Sequence, residues 1–357
     1  MSMTAKELAK LLGVSQAAVS LAFNGKPGLS EETRRRILRA ADEHQVPHTS
    51  RKPNASTSIE VICYKKHGMV FGETPFFSAL MEGIFSSASA VNYNVQISYI
   101  YGGKGVAGTL RENTVGIILI ATEMMEEEDI EPILRLGKPL VVLDAPFRHR
   151  NLQSVTIDNQ KGAYDATRCL IAHGHRHIGH LKSSVTIRNF VEREEGFLAA
   201  CAETPSCTTM TVSVGSTQET AYADMLAWLK AQPQLPTGFF ADNDLIAISC
   251  IRALKDMHYR IPQDVSIVGF DDIPMSAVSS PALSTIHVYK EALGGTAVDL
   301  LRMTIKQPDR TPVNVRISTD LVERKSVLDL NTINKPSLHP PIAGTPPKTA
   351  KNIGEDR

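Results

Sequence analysis

The sequence predicts an α-helical helix-turn-helix headpiece followed by a two-lobed α/β core with parallel sheets, and three observations carry that prediction. Residues 4–25, TAKELAKLLGVSQAAVSLAFNG, read as a helix, a tight turn and a second helix. Residues 47–58, PHTSRKPNASTS, are polar and hold two prolines, the composition of a linker. From residue 59 onward, short β-rich runs alternate with helical segments in two successive series. Strands regularly separated by helices imply parallel sheets covered on both faces.

At the N-terminal end, Thr4 caps the first helix while Glu7 reaches back to the Thr4 amide, a T-x-x-E capping box. Leu8, Leu11 and Leu12 supply an apolar face, Gly13 permits a sharp exit, and Ser15 caps the next helix. There, Val19, Ala22 and Phe23 turn inward at helical spacing, which leaves Gln16, Ala17, Ser20 and Leu21 facing out. Ser30 starts a third helix with Glu31 and Glu32 in its positive first turn and Arg34, Arg35 and Arg36 beyond. Three short helices of this kind suit a DNA-binding headpiece, the generic alternative being a plain αα-hairpin.

The first strand series is IEVICY, NVQISYI, VGIILIA and LVVLD, spaced by helical segments such as FFSALMEGIFSSASA and EEEDIEPILRLG. The second is SVTID, HIGHL, TMTVSV, TGFFA and SIVGF, with GAYDATRCLIAH, EREEGFLAAC, TAYADMLAWLKAQ and DLIAISCIRALKDM between them. Two series imply two lobes, and 357 residues with 42% apolar content leave room for both.

Lys plus Arg equals Asp plus Glu at 38 each, so whole-chain charge selects no partner. Locally, Arg34, Arg35, Arg36, Arg39, Arg51 and Lys52 outweigh Asp42 and Glu43, a positive excess suited to phosphate contact. Cysteines 63, 169, 201, 207 and 250 are odd in number and form no CxxC pair, so reduced thiols and a cytoplasmic location are expected. The start is amphipathic rather than a signal peptide, and no apolar run is long enough to span a membrane.

The run GVSxxxVSxxxNG followed by LSEETRRRILRAADE resembles the headpiece of the lactose-repressor (LacI/GalR) family of transcription regulators, and the likeness extends from residue 4 to about 327. It implies a core like that of periplasmic sugar-binding proteins, crossed by the chain near Asp158, Val288 and Thr311. The expected division is a headpiece at 1–46, a hinge linker at 47–58, a core at 59–327 and a flexible tail at 328–357. Within the core, one lobe takes about 59–158 and 289–311, the other about 159–288 and 312–327. By resemblance the protein is a repressor that binds a pseudo-palindromic double-stranded DNA operator as a homodimer under control of a small polar effector, a sugar first among them. No cofactor, metal, membrane or catalytic role is implied, and there is no GxSxG elbow. DNA contacts are expected from Thr4, Ser15, Gln16, Ala17, Ser20, Leu21, Asn24 and Ser30. The linker departs from the family's hinge, having no leucine and no alanine-arginine pair, so Arg51 and Lys52 are expected to meet phosphates or a narrow minor groove instead of inserting a wedge. The tail lacks the leucine heptads of tetrameric relatives, hence the expected dimer.

A ligand cleft between parallel sheets is lined by residues just past the carboxyl ends of strands. Asp242 and Asn243 follow TGFFA, Asp271 and Asp272 follow SIVGF, and Arg193 lies beyond HIGHL. Asn243 in ADNDLIA, Asp271 in VGFDD and Arg193 in VEREEGF fall where the family holds its effector. An amide, a carboxylate and a guanidinium together can accept from and donate to adjacent hydroxyls. Taken singly, Asp or Asn after a strand is a turn or a cap. Asp144 after LVVLD and Phe76 or Phe77 are further candidates, with Phe77 retained and core packing the alternative for both phenylalanines.

Other readings compete. GKGVAG at 103–108 satisfies GxGxxG, with Glu123 at the offset of a ribose-binding acid, as in an NAD-linked oxidoreductase. It does not follow the chain's first strand, and the next segment is short for a helix, so a glycine-rich loop is preferred. HGHRHIGH gathers His173, His175, His177 and His180, with Cys169 one turn earlier and His175 and His177 on one strand face, a zinc-type ligand set. Gly174 there reads instead as a helix C-cap, and the family forms this turn without metal. A solute-binding protein would share the lobes but have no use for the headpiece.

Overall fold

The computed structural model describes residues 3–23, 26, 28–44, 46, 57–70, 75–102, 110–147 and 149–333. Asn24, Arg51, Lys52, the GKGVAG segment and residues 334–357 lie outside the described residues.

The headpiece comprises α1 (Ala5–Leu12), α2 (Gln16–Phe23) and α3 (Glu31–Glu43). Thr4 N donates to Glu7 Oε2 at 2.8 Å and Glu7 N donates to Thr4 Oγ1 at 3.4 Å, which closes the capping box. Gly13 ends α1 at φ +63°, and Ser15 Oγ accepts from Ala18 N at 3.0 Å to start α2. Leu8, Val19, Ala22, Ile37 and Ala41 form the buried core. Two expectations change. Leu11 is 55% exposed, because Leu8 and Ala9 carry the buried face of α1. Arg34 donates to the carbonyls of Leu21 and Lys26, and Arg36 to that of Leu12. The Leu12 and Leu21 carbonyls sit at helix C-termini, where they carry the negative end of the dipole, so these two arginines tie the helices together rather than forming a purely outward basic face.

The chain then runs β1 (Ser58–Lys65), α4 (Pro75–Ala90), β2 (Asn94–Tyr101), β3 (Thr114–Ile120), α5 (Glu131–Leu134), β4 (Leu140–Leu143) and β5 (Gln153–Ile157). It continues with α6 (Asn159–Ala172), β6 (His177–Ser183), α7 (Arg188–Ala202), β7 (Thr208–Val214), α8 (Gln218–Lys230), β8 (Gly238–Ala241), α9 (Asp244–Asp256), β9 (Ser266–Val268), α10 (Pro274–Val278) and β10 (Thr285–Val288). Last come α11 (Lys290–Lys306), β11 (Asn314–Ile317), β12 (Thr319–Val322) and α12 (Leu330–Ile333).

Two units emerge, Met1–Gly68 with Phe77–Thr156 and Lys290–Val315, and Met69–Phe76 with Ile157–Tyr289 and Arg316–Arg357. The first holds a sheet in the order β11-β5-β4-β3-β1-β2, in which β2, β1, β3, β4 and β5 pair in parallel. The second holds a parallel sheet in the order β7-β6-β8-β9, beside an antiparallel β10–β12 pair. Central strands such as β4 and β8 are buried at every position, which is why they read as unbroken apolar runs. In the first unit, α4 and α11 approach so closely at Gly83 that a Cβ there would lie 2.1 Å from the Glu291 carbonyl oxygen.

The expected tail starts too early at residue 328. Leu328 N donates to Ser266 Oγ, and Leu330 N to the His173 carbonyl, both at 2.9 Å. These bonds hold the first residues of that segment, with α12, on the second unit.

Candidate functional site

Val19 and Ala22 anchor α2 to the headpiece core, which leaves Gln16, Ala17 and Ser20 exposed on its outer side, while Leu21 is half-buried. Thr4, Ser15 and Ser30 sit at the starts of the three helices, where backbone N–H groups and the dipole favour an anion such as a phosphate.

In the second unit, Arg193 of α7 is the centre of a buried cluster. Its Nε donates to Asn159 Oδ1 at 3.0 Å, one terminal nitrogen to the Asp242 carbonyl and the other to Asp271 Oδ1 at 3.1 Å. The guanidinium carbon lies 3.7 Å from the centre of the Phe270 ring, a cation–π contact that fixes its plane. Those bonds use three of the five N–H donors of an arginine. Asp271 is held at φ +104°, outside the ordinary range of an L residue, with its N donating to the Ile286 carbonyl at 2.9 Å. Such strain at a strand end is the kind found where a side chain must be aimed.

Asn243 follows β8, and its Oδ1 accepts from Ile246 N at 2.9 Å as the N-cap of α9. The cap thus engages the amide oxygen of this residue. Asp242 accepts from Ser183 N and meets His180 Nε2, each at 2.7 Å, so its side chain works inside the lobe. Asp244 is fully buried and accepts from Ile273 N, Ser276 Oγ and Thr285 Oγ1. Burial, with the Asp271 charge second, pushes its pKa up to about 7.

Asp144 and Phe77 belong to the first unit. Asp144 follows β4 at φ +62°, and its Oδ2 accepts from Thr122 Oγ1 at 2.6 Å. Phe77 is buried on the first turn of α4. Glu123, the acid that a dinucleotide site would place on a ribose, instead accepts the backbone N–H groups of Lys66, His67 and Gly68 at 2.9, 3.1 and 2.9 Å. Its buried carboxylate closes the loop after β1. The four histidines do not converge either. His175 bonds Thr237 Oγ1 and the Leu328 carbonyl, and burial pushes it down to about 4, while His180 stacks on Phe240 and meets Phe197 at a tilt.

Sequence reasoning missed Asn159, Asp244 and Phe270. Asn159 carries the signal used for Asn243, a polar residue one step past a strand-ending Asp, and Phe270 immediately precedes Asp271.

The model of bacterial regulatory proteins of the lacI family matches residues 4–45, and that of the periplasmic binding protein-like domain matches 167–327. The HTH-type transcriptional repressor PurR of Edwardsiella ictaluri is 32% identical over 343 residues, spanning 91% of this chain and 97% of that protein. The ribose operon repressor of Haemophilus influenzae is 30% identical over 336 residues, spanning 92% and 99%. Among solved structures, a LacI family transcriptional regulator from Enterococcus faecium with bound ribose aligns at 27% identity and TM-score 0.67, over 76% of this chain and 99% of that one. The Lac repressor dimer bound to operator and the anti-inducer ONPF aligns at 21% identity and TM-score 0.69, over 92% and 100%, a likeness of fold.

Proposed function

The chain belongs to the LacI family of bacterial regulatory proteins, and from that premise we propose that it is a cytoplasmic, dimeric transcriptional repressor whose operator affinity is set by a small polyhydroxyl effector, a sugar of the pentose or hexose class. One observation carries the DNA-binding part: α2 is anchored by Val19 and Ala22 and leaves Gln16, Ala17 and Ser20 on one outward strip. A helix held this way can enter a major groove, where a glutamine amide bonds adenine in two places and an alanine methyl meets thymine. Thr4, Ser15 and Ser30 are assigned to phosphates, and Leu21 to the edge of the base-reading strip.

The effector part rests on Arg193, Asn243 and Asp271, whose guanidinium, amide and carboxylate suit vicinal hydroxyls. The ribose named for the Haemophilus influenzae and Enterococcus faecium relatives supports a sugar. Two-fold assembly follows from the family's symmetric operators.

Selection of genomic DNA fragments by the purified protein, followed by fluorescence anisotropy on the recovered site against a panel of sugars, tests this reading. The expected result is a two-fold-symmetric site whose affinity one sugar shifts by roughly 5- to 150-fold. Retention of no fragment above bulk DNA would remove the repressor assignment.

A further inference from the structure

We propose that a cavity at the edge of the first sheet, with Glu60 and Arg111 in its wall, binds a small polar α-amino acid, apart from the Arg193 cluster. The cavity has a volume of about 680 Å³, and Glu60 of β1, Gln96 and Ser98 of β2, and Arg111 all line it within the first unit. In the parallel register Glu60 stands opposite Gln96, and Ile62 opposite Ser98. Residues two apart on a strand share a face, so Glu60, Gln96 and Ser98 lie on one side of the sheet while Ile97 alternates to the other.

The feature that points to a ligand is the Glu60 carboxyl. The residue is 1% exposed, yet only one of its oxygens is engaged. Ser98 Oγ donates to Oε1, while Oε2 has no hydrogen-bond partner among the described residues. A buried carboxyl with an idle oxygen is costly in either protonation state, because polar atoms taken out of water need a partner inside the protein. Burial pushes the group above the ordinary glutamate value, and the Ser98 hydroxyl and the Arg111 charge pull it back. An incoming ammonium supplies the missing donor and favours the carboxylate.

Arg111 supplies the second half of the site. Thr114 N donates to the Arg111 carbonyl at 3.0 Å, and Asn113 Nδ2 to Ser58 Oγ at 2.9 Å, so this turn is fastened to the first residue of β1. The guanidinium is exposed and forms no salt bridge among the described residues, although its charge is felt at Glu60. That charge opposes a simple cation in the cavity. A zwitterion escapes the opposition, because its carboxylate can take the forked bond of the guanidinium while its ammonium goes to Glu60. Gln96 and Ser98 make this side of the cavity polar, which suits a ligand side chain that is itself small or polar.

Calorimetric titration of the full-length protein with glycine, serine, asparagine and glutamine, each singly, is the test. The expected result is one equivalent of at least one of them bound per chain, with unchanged affinity in Asp271→Asn and none in Glu60→Gln. The corresponding amine, which lacks the carboxylate, and the corresponding carboxylic acid, which lacks the ammonium, should each bind roughly tenfold more weakly or worse. Should Glu60→Gln not fold, Arg111→Ala answers instead, since an exposed side chain can be removed without disturbing the sheet, and it should weaken binding roughly tenfold or more. Absence of binding by all four, or binding that survives Glu60→Gln or Arg111→Ala, would overturn the proposal. Binding lost in Asp271→Asn and kept in Glu60→Gln would overturn it too, and would place the amino acid at the Arg193 cluster.

Discussion

Asp244 lies in sequence between the proposed ligand-binding Asn243 and the core of α9, with no exposure to solvent. Its raised value, about 7, compares with about 3.9 for an unfolded aspartate. Between those values the folded protein holds a proton that the unfolded chain has released, so stability falls as pH rises from about 4 through about 7. The steepest contribution is about 1.4 kcal/mol per pH unit, and the three donors, which favour the ionised form, keep the value from rising further. Asp244→Asn keeps one acceptor oxygen and removes the ionisation. Urea unfolding across that window should show a flatter dependence on pH by up to about 1 kcal/mol per unit. An unchanged slope would mean that Asp244 is ionised in the folded protein throughout. Asn243 is legible in the sequence because a polar residue after a strand is a local signal. Its neighbour's burial is not, since the groups around Asp244 come from residues 271–285, far along the chain. Arg34 and Arg36 make the same point, as nothing local distinguishes an arginine that caps a helix from one that meets phosphate.

At the level of elements, α6 and α7 pack where α7 has a glycine. A Cβ on Gly196 would stand 2.1 Å from the Gln160 carbonyl oxygen. Arg193, less than a turn earlier, is thereby brought to Asn159 at the start of α6. Alanine is the better helix former by about 1 kcal/mol, so a free surface would make Gly196→Ala stabilising. Here the obstacle is backbone, which cannot rotate aside, and overpacking of this kind costs about 1–3 kcal/mol. We expect net destabilisation in chemical denaturation together with weaker effector binding in calorimetry. A variant with full stability and full affinity would show that the two helices can separate without disturbing the Arg193 cluster. The strands themselves are readable from runs such as SIVGF because both faces of a parallel sheet are buried. The glycine contact is not, because spacing between helices leaves no periodic trace in sequence. Leu11 is the converse case, an apolar residue counted toward a buried face that the short α1 does not need.

On the scale of the whole molecule, β2 is an edge strand of the first sheet, and it exposes Ile97, Tyr99 and Tyr101, with Phe85 of α4 lining the same groove as Ile97. An uncovered apolar edge invites pairing with another chain, and a two-fold axis places the same patch on both partners. A second copy of this protein is the occupant that symmetric operator binding requires. Replacing Ile97 and Tyr99 by aspartate sets like charges against each other across such an axis, without touching the Arg193 cluster. The double variant is expected to sediment as a monomer while still binding the effector. Loss of the linked second headpiece should lower operator affinity by roughly 10²- to 10⁴-fold. Half as many phosphates would be neutralised per complex, so the slope of log affinity against log salt should fall by about half. Sedimentation velocity and salt-series anisotropy read both effects independently. A variant that remains dimeric with an unchanged salt slope would place the dimer contact on another face, whereas a monomer that keeps wild-type affinity would show that each headpiece reads its half-site without help from the other.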